Sequence, residues 1–312
     1  MAASQRTSTK ISIPHSIEPN CCIVGILQQL TPDQPTNGRK IALILHGSAG
    51  HKDYLFHKRL GLCLPLDSFR FDFRGCHETP GTWRQHGFED EVTDISVVVD
   101  YLAKTFGYQV ALIVGHSRGS IVAMRWLCTT EAGKKVSGFV NVSGRYRMHK
   151  IHGERNSPPY FIVLLILCLI TETPLAKKWS ESFLSQGFHI WTPTVARKIL
   201  SIKIHPEDVE NFCKFDTSLV WDRFPQGTDV LTIHGLSDTQ VPPYDAVIYA
   251  RALSNRDPGT HSLHLMEYTD HNFIERQDEV VATILEWWGA HERGDLQSGI
   301  WRGTATDLRG KM

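Results

Sequence analysis

The sequence lacks an excess of either charge: 33 Lys and Arg residues balance 33 Asp and Glu residues among 312. A nucleic-acid-binding domain would carry a strong basic excess or a clustered basic face, so no nucleic-acid partner is expected. Hydrophobic residues are 41% and charged residues 21% of the chain, values typical of soluble globular proteins. This composition excludes a wholly disordered chain, a collagen and a polytopic membrane protein.

The sequence also lacks a CxxC motif, and its seven cysteines are an odd number. A disulfide framework or a zinc ribbon is therefore not expected, and the cysteines fit small core residues in a reducing compartment. The sixteen histidines show no metal-ligand spacing beside strand ends, and no G-x-G-x-x-G fingerprint occurs. We predict neither a metal nor an organic cofactor.

The first twenty residues lack an apolar segment, so a secretory signal peptide is not expected. We interpret residues 1–20 as a flexible polar leader and expect a cytoplasmic protein. A mitochondrial presequence is the alternative, because Arg6 and Lys10 are present and no acidic residue precedes Glu18.

Apolar strand-like segments alternate with segments of helical periodicity through residues 21–291. The segment KIALIL (40–45) is apolar after Lys40, and VALIV (110–114) is apolar throughout, which is typical of strands covered on both faces. This pattern predicts one α/β domain over 21–291, with a mostly parallel sheet flanked by helices. The polar residues 292–312 show no periodicity and are expected to form a disordered tail.

Residues 145–228 interrupt this alternation, since they carry helical and loop signals but no clear strand. We interpret them as a lid inserted over one end of the sheet. They contain the apolar run YFIVLLILCLI (160–170), which is shorter than the about 20 residues that a membrane-spanning helix needs. A buried or lid helix is the favoured interpretation. A cap that binds acyl chains or makes peripheral membrane contact stays open, as does an error in the gene model.

The strongest chemical signal is Gly115-His116-Ser117-Arg118-Gly119, between the strand VALIV and the helical segment GSIVAMRWL. This is G-x-S-x-G in the strand–turn–helix context of a nucleophile elbow. Glycine at both ends admits a turn so tight that larger side chains would clash. We therefore predict Ser117 as a nucleophile beside the N-terminus of a helix.

A serine hydroxyl needs a base, and this architecture orders the residues as nucleophile, acid and histidine. Asp238 follows the strand VLTI (230–233), and His271 follows the strand LHLM (263–266). Both thus lie past the carboxyl end of a strand, where α/β folds place their sites. Asp270 competes as the acid, but side chains of adjacent residues rarely point together. The predicted triad is Ser117, Asp238 and His271.

The loop after KIALIL carries the predicted oxyanion hole. His46 and Gly47 form a supporting turn in which Gly47 lets the backbone approach the site. The backbone N–H groups of Ser48 and Arg118 are the predicted donors. A phosphate loop is the alternative for this turn, but no G-K-[ST] follows it.

Taken in order, the segments HGSAGHK, DFRG, GHSRG, HGLSDTQVP and DHNF resemble the α/β-hydrolase superfamily. They look most like its small intracellular serine-hydrolase branch, which has serine-aminopeptidase-like and esterase-like members. The resemblance covers about residues 20–290 and implies an eight-stranded, mostly parallel sheet with a lid after the sixth strand. It also implies Ser117 as nucleophile, Asp238 as acid and His271 as base.

Departures from the family pattern fall next to the site. His77 and Thr79 stand where the family loop often has glycine and serine, and Ser48 stands where it often has a bulky apolar residue. A backbone donor survives the change at Ser48, whereas the pocket shape need not. Asp72 and Arg74, in the DFRG turn, are expected to pair and hold the loops.

We expect a serine hydrolase that cleaves a carboxylic ester of a small-molecule acyl substrate through an acyl-enzyme. The alternative is a serine aminopeptidase, which would need lid carboxylates to bind an α-amine. Four are available: Glu172, Glu181, Glu207 and Asp208. A non-catalytic module on the same fold would predict a broken triad, whereas all three residues are present.

Overall fold

The computed structural model describes residues 6–150 and 174–303. Thirteen strands lie within these ranges: β1 (Thr7–Pro14), β2 (Cys22–Gln29), β3 (Lys40–Leu45), β4 (Asp67–Phe71), β5 (Gln109–His116), β6 (Gly138–Val142), β7 (His189–Trp191), β8 (Thr194–Val195), β9 (Lys198–Ile199), β10 (Ile202–Ile204), β11 (Asp229–Gly235), β12 (His261–Met266) and β13 (Gly299–Ile300). Eight α-helices lie there as well: α1 (His57–Cys63), α2 (Phe88–Phe106), α3 (Arg118–Thr129), α4 (Pro174–Gln186), α5 (Pro206–Cys213), α6 (Leu219–Asp222), α7 (Tyr244–Leu253) and α8 (Gln277–Arg293).

The main sheet has nine strands in the order β1-β2-β4-β3-β5-β6-β11-β12-β13. Seven adjacent strands of this sheet run parallel to one another: β4, β3, β5, β6, β11, β12 and β13. Strand β2 is antiparallel to both of its neighbours, β1 and β4. Parallel neighbours need crossover connections, and the helices between the strands supply most of them. The predicted mostly parallel sheet is confirmed.

Both faces of the main sheet are buried, and its central strands carry apolar side chains on both faces. Along β3, Ile41, Leu43 and Leu45 pack in one buried cluster, while Ala42 and Ile44 pack in the other. Side chains of α2, α3 and α7 complete the first cluster, and side chains of α1 and α8 complete the second. The helices therefore cover the sheet from both sides, as the apolar runs predict.

Two edge strands of the main sheet lie outside the bounds 21–291 that were predicted for the domain. β1 lies in the proposed leader and pairs with β2 along its whole length, although most of its side chains are exposed. β13 lies in the proposed tail 292–312 and pairs with β12. The sheet therefore has nine strands rather than the eight that the resemblance implied, because a two-residue strand at the edge carries no sequence periodicity.

Between β6 and β11, residues 145–228 contain two small antiparallel pairs, β7 with β10 and β8 with β9. The expectation of no strand here was wrong, since strands of two or three residues are too short to show alternation. The apolar run 160–170 lies outside the described residues. Within the described parts of the chain, no helix is long and apolar enough to cross a membrane.

Candidate active site

The residues predicted to carry the chemistry lie at one edge of the main sheet. Ser117 directly follows β5, Asp238 follows β11, and His271 follows β12. These strands belong to the parallel part of the sheet, so their carboxyl ends lie at the same edge. The topology therefore brings the three side chains together, although 154 positions separate Ser117 from His271.

Ser117 lies on a strained turn between β5 and α3. Its φ is 52° and its ψ is −116°, a backbone conformation that residues other than glycine rarely adopt. A Cβ atom on Gly115 would lie 2.6 Å from the backbone nitrogen of Ser120. A Cβ atom on Gly119 would lie 2.6 Å from the carbonyl oxygen of His46. Both glycines are therefore required by the close approach of neighbouring backbone.

A chain of hydrogen bonds joins the three residues. Nε2 of His271 lies 2.9 Å from Oγ of Ser117, and Nδ1 of His271 lies 2.7 Å from Oδ2 of Asp238. Because a carboxylate only accepts, Nδ1 carries the proton, and Nε2 is left to accept the serine proton. His271 and Asp238 are buried, while Ser117 is half-buried and can be reached.

Asp238 is held in its charged form. Its Oδ1 accepts the backbone N–H groups of Gln240 and Val241, each at 2.8 Å. Burial acts to raise the pKa of Asp238, but hydrogen bonds from His234, His271 and the backbone outweigh burial and lower the pKa well below its ordinary value. The carboxylate is therefore ionised and fixed in orientation at neutral pH.

His116, the residue before Ser117, links two loops of the site. It is buried, and its Nε2 donates to the carbonyl oxygen of His271 at 3.0 Å. Its Nδ1 has no hydrogen-bond partner in the part of the chain that the structure describes. Burial lowers the pKa of His116 well below its ordinary value, so the ring is neutral. This bond ties the turn of Ser117 to the loop that carries His271.

His46 fixes the peptide that carries the N–H of Ser48. His46 Nε2 accepts the backbone N–H of Phe73 at 3.1 Å, so its Nδ1 carries the proton and donates to the Gly47 carbonyl at 2.8 Å. In a trans peptide the Ser48 N–H points opposite to that carbonyl, so this bond sets its direction. A Cβ atom on Gly47 would lie 3.1 Å from Cβ of Ser117. The peptide therefore passes directly against the serine.

The second predicted donor is the backbone N–H of Arg118. Arg118 is the first residue of α3, so its N–H has no acceptor within the helix. The helix N-terminus also carries partial positive charge, which favours a developing anion. The N–H groups of Ser48 and Arg118 thus both belong to backbone segments that adjoin Ser117.

A buried ion pair ties the loop after β3 to the turn after β4. Nζ of Lys52 lies 2.6 Å from Oδ2 of Asp72 and also bonds Glu78. Burial acts to lower the pKa of Lys52, but hydrogen bonds to the two carboxylates outweigh burial and raise it. The expected pairing of Asp72 with Arg74 was wrong: Arg74 bonds Asp94 instead, with Nε at 2.8 Å from Oδ1.

The same turn holds a group of three side chains that could ligate a metal ion. Asp72, His77 and Glu78 each place one ligand atom within 4.8 Å of the others. The ammonium group of Lys52 already binds both carboxylates and neutralises part of their charge. We therefore assign Asp72 and Glu78 to the ion-pair network that fixes the loops.

The lid carboxylates considered for an α-amine differ in their surroundings. Glu172 lies outside the described residues, and Glu181 and Glu207 are exposed. Asp208 accepts the backbone N–H of His205 at 2.7 Å and so caps the N-terminus of α5. Asp208 therefore already has a structural role.

Sequence reasoning missed Glu91, whose side chain pairs with Arg118 in the interior. An acidic residue in the first turn of a helix usually reads as an exposed residue that favours the helix dipole. One signal could have located it. Glu91 lies three residues after Phe88 and four before Ile95, which are both buried, and so falls on the buried face of α2.

Comparisons with known proteins agree with this architecture. A relative from Saccharomyces cerevisiae, the uncharacterized protein YDL057W, is 26% identical in an alignment of 259 residues, and the match covers 75% of this chain and 69% of the relative. Est1E from Butyrivibrio proteoclasticus, solved with ferulic acid bound, is 17% identical with a TM-score of 0.65, covering 91% of this chain and 99% of that one.

The Pyrococcus furiosus esterase Pf2001 is 15% identical with a TM-score of 0.60, covering 91% of this chain and 92% of that one. At these identities the two structures establish a shared fold. The family model described as "Alpha/beta hydrolase family" matches residues 42–283, which is most of the chain. The chain therefore belongs to the alpha/beta hydrolase family.

Proposed function

We propose that the protein is a serine hydrolase that cleaves carboxylic esters through an acyl-enzyme. The observation that carries the proposal is the continuous chain of hydrogen bonds from Ser117 through His271 to Asp238, at 2.9 and 2.7 Å. The strained turn of Ser117 supports the same role, because it presents the hydroxyl beside a helix N-terminus.

Acylation begins when His271 accepts the hydroxyl proton of Ser117. Oγ of Ser117 then attacks the ester carbonyl carbon, and the carbonyl oxygen becomes an oxyanion. The imidazolium of His271 is stabilised by Asp238, which stays ionised. His271 passes its proton to the leaving alkoxide as the C–O bond breaks, and the acyl group remains on Ser117.

Deacylation repeats these steps with water as the nucleophile. His271 takes a proton from water, the hydroxide attacks the acyl carbon, and Ser117 leaves with the proton returned by His271. The N–H groups of Ser48 and Arg118 hold the oxyanion in both halves of the reaction. Loss of one such donor typically costs about 100- to 1,000-fold in kcat.

We favour an ester over a peptide bond as the substrate. Among proteins that share the fold, one is named an esterase and another was solved with ferulic acid bound. A peptidase that removes N-terminal residues would need a free lid carboxylate for the α-amine. Asp208 is already used as the cap of α5, which removes one of the candidate carboxylates.

The proposal is tested by labelling with a fluorophosphonate and reading the intact mass. Oγ of Ser117 would displace fluoride, forming one O–P bond and breaking one P–F bond, while His271 accepts the hydroxyl proton. We expect one adduct on the wild type and none on Ser117→Ala. Ser254→Ala is the matched control, since its hydroxyl bonds the Ala250 carbonyl at the end of α7.

Panels of p-nitrophenyl esters and aminoacyl arylamides then separate the bond types. Turnover of the esters with little turnover of the arylamides is the expected result, and the reverse preference would overturn the ester assignment. A folded wild type without any adduct would overturn the serine hydrolase proposal itself.

A further inference from the structure

The side chain of Arg118 is fixed in the interior by a buried acid. Its Nε lies 2.8 Å from Oε1 and 2.7 Å from Oε2 of Glu91, in the first turn of α2. The side chains of Arg118 and Glu91 are only 3% and 5% exposed. The pair therefore joins the first residue of α3, immediately after Ser117, to the start of α2.

The remaining faces of the guanidinium group are also occupied. Nη1 donates to the carbonyl of Gln85 at 2.6 Å, and Nη2 lies 3.3 Å from the carbonyl of Arg84. The group lies 4.0 Å from the ring centre of Phe88. Because guanidinium is planar and its donors point in fixed directions, these contacts leave Arg118 one orientation.

Burying the carboxyl group of Glu91 has an electrostatic cost that Arg118 only partly offsets. Burial raises the pKa of Glu91 to about 7, because lost hydration and the nearby Asp94 and Asp90 oppose the attraction of Arg118. Buried ion pairs can often be replaced by apolar residues of similar volume without loss of stability. An explanation for the presence of this pair must therefore come from the geometry that it fixes.

That geometry concerns the backbone on both sides of Ser117. The N–H of Arg118 is one of the two proposed oxyanion donors, and Ser117 has a φ of 52°. Such strained residues keep their conformation only where the surroundings fix them from several sides. We propose that Glu91, acting through Arg118, is a positioning residue that holds the oxyanion N–H and the turn of Ser117; this inference rests on the proposed serine hydrolase function.

The test substitutes Glu91→Gln, which keeps the shape of the side chain but removes its charge. The matched control is Glu89→Gln, because Glu89 also pairs across α2 and α3, with Arg125 at 2.9 Å, but its side chain is 64% exposed. The readouts are the second-order rate of fluorophosphonate labelling, kcat and KM for a p-nitrophenyl ester, and the Ki of a trifluoromethyl ketone. The ketone forms an oxyanion on Ser117 and so reports on the donors directly.

For Glu91→Gln we expect the labelling rate and kcat to fall about 10- to 100-fold, as for a misplaced catalytic group. KM should change less than twofold, and the ketone Ki should rise in proportion to the fall in kcat. Glu89→Gln should match the wild type in every readout. Equal kinetics for the two variants, or an unchanged ketone Ki, would overturn the inference.

A double variant, Glu91→Leu with Arg118→Met, covers the case in which Glu91→Gln does not fold. It replaces the pair by apolar side chains and should fold with near-wild-type stability, yet label at least tenfold more slowly. Full labelling by the folded double variant would refute the positioning role. If the wild type is labelled and the Glu91 variants are labelled at the same rate, the further inference fails and the proposed function stands. If the folded wild type is not labelled, the proposed function fails as well.

Discussion

Acid should destabilise this protein steeply, because His57 is buried as a neutral ring. Its Nδ1 donates to the carbonyl of Tyr54, and its Nε2 has no hydrogen-bond partner among the described residues. Its ring stacks on Phe56 with the centres 4.7 Å apart. Burial lowers the pKa of His57 to about 3, and the neighbouring His46, His51 and Arg70 add to this effect. A second proton would thus create a cation without a partner.

The magnitude follows from linkage between protonation and folding. In the unfolded chain the histidine pKa is about 6.5, so between pH 6.5 and about 3 the unfolded state binds a proton that the folded state does not. The free energy of unfolding is therefore unaffected by His57 above pH 6.5 and decreases as the pH falls below that value. Protonation of His57 in the unfolded state lowers the free energy of unfolding by about 2 kcal/mol at pH 5 and by about 3 kcal/mol at pH 4.

The assay is urea unfolding of the wild type and of His57→Gln at pH 7, 5 and 4. The variant lacks the titrating group, so its free energy of unfolding should fall less on acidification than that of the wild type, by the amounts above. Phe56→Leu is the control, because it removes packing at the same place without removing a titrating group. If the difference between wild type and His57→Gln is the same at pH 7 and pH 4, the reasoning is refuted.

Two further substitutions test the site more directly. Gly119→Ala should lower the free energy of unfolding by about 3 kcal/mol or more, since its Cβ would press on the carbonyl oxygens of Leu45 and His46; a variant as stable as wild type in urea would contradict this. His116→Leu should lower kcat about tenfold because the bond to the His271 carbonyl is lost. His116→Gln can still donate there and should recover most of the rate, so equal kcat values for the two variants would count against the positioning of His271 by this bond.

The parallel sheet and the placement of the site residues could be predicted from the sequence because each depends on local pattern. Strand β3 is apolar from Ile41 to Leu45, which is what burial on both faces requires. Ser117, Asp238 and His271 each follow such a strand within a few residues. Once the strands are parallel, their ends share an edge, and the three side chains come close without any knowledge of tertiary contacts.

The contacts that support the site could not be predicted in the same way. Lys52 lies five residues before the start of α1 and turns inward to bind Asp72. Asp72 and Arg74 are two residues apart and were expected to pair, yet each finds its partner on another element. Such pairings join distant parts of the chain, and hydrophobic periodicity does not record them.

Three buried contacts attach the turn of Ser117 to neighbouring elements. Strain of this kind costs about 1–3 kcal/mol, and a hydrogen bond typically contributes about 0.5–1.5 kcal/mol to stability. Several bonds are therefore needed to offset the strain. The backbone N–H of Ser117 donates to the Val142 carbonyl at 2.8 Å, His116 binds the loop of His271, and Arg118 binds Glu91. Each bond attaches the turn to a different element, so weakening one of them should shift the reacting groups without unfolding the sheet. Loss of one bond should therefore lower kcat before it measurably lowers the free energy of unfolding.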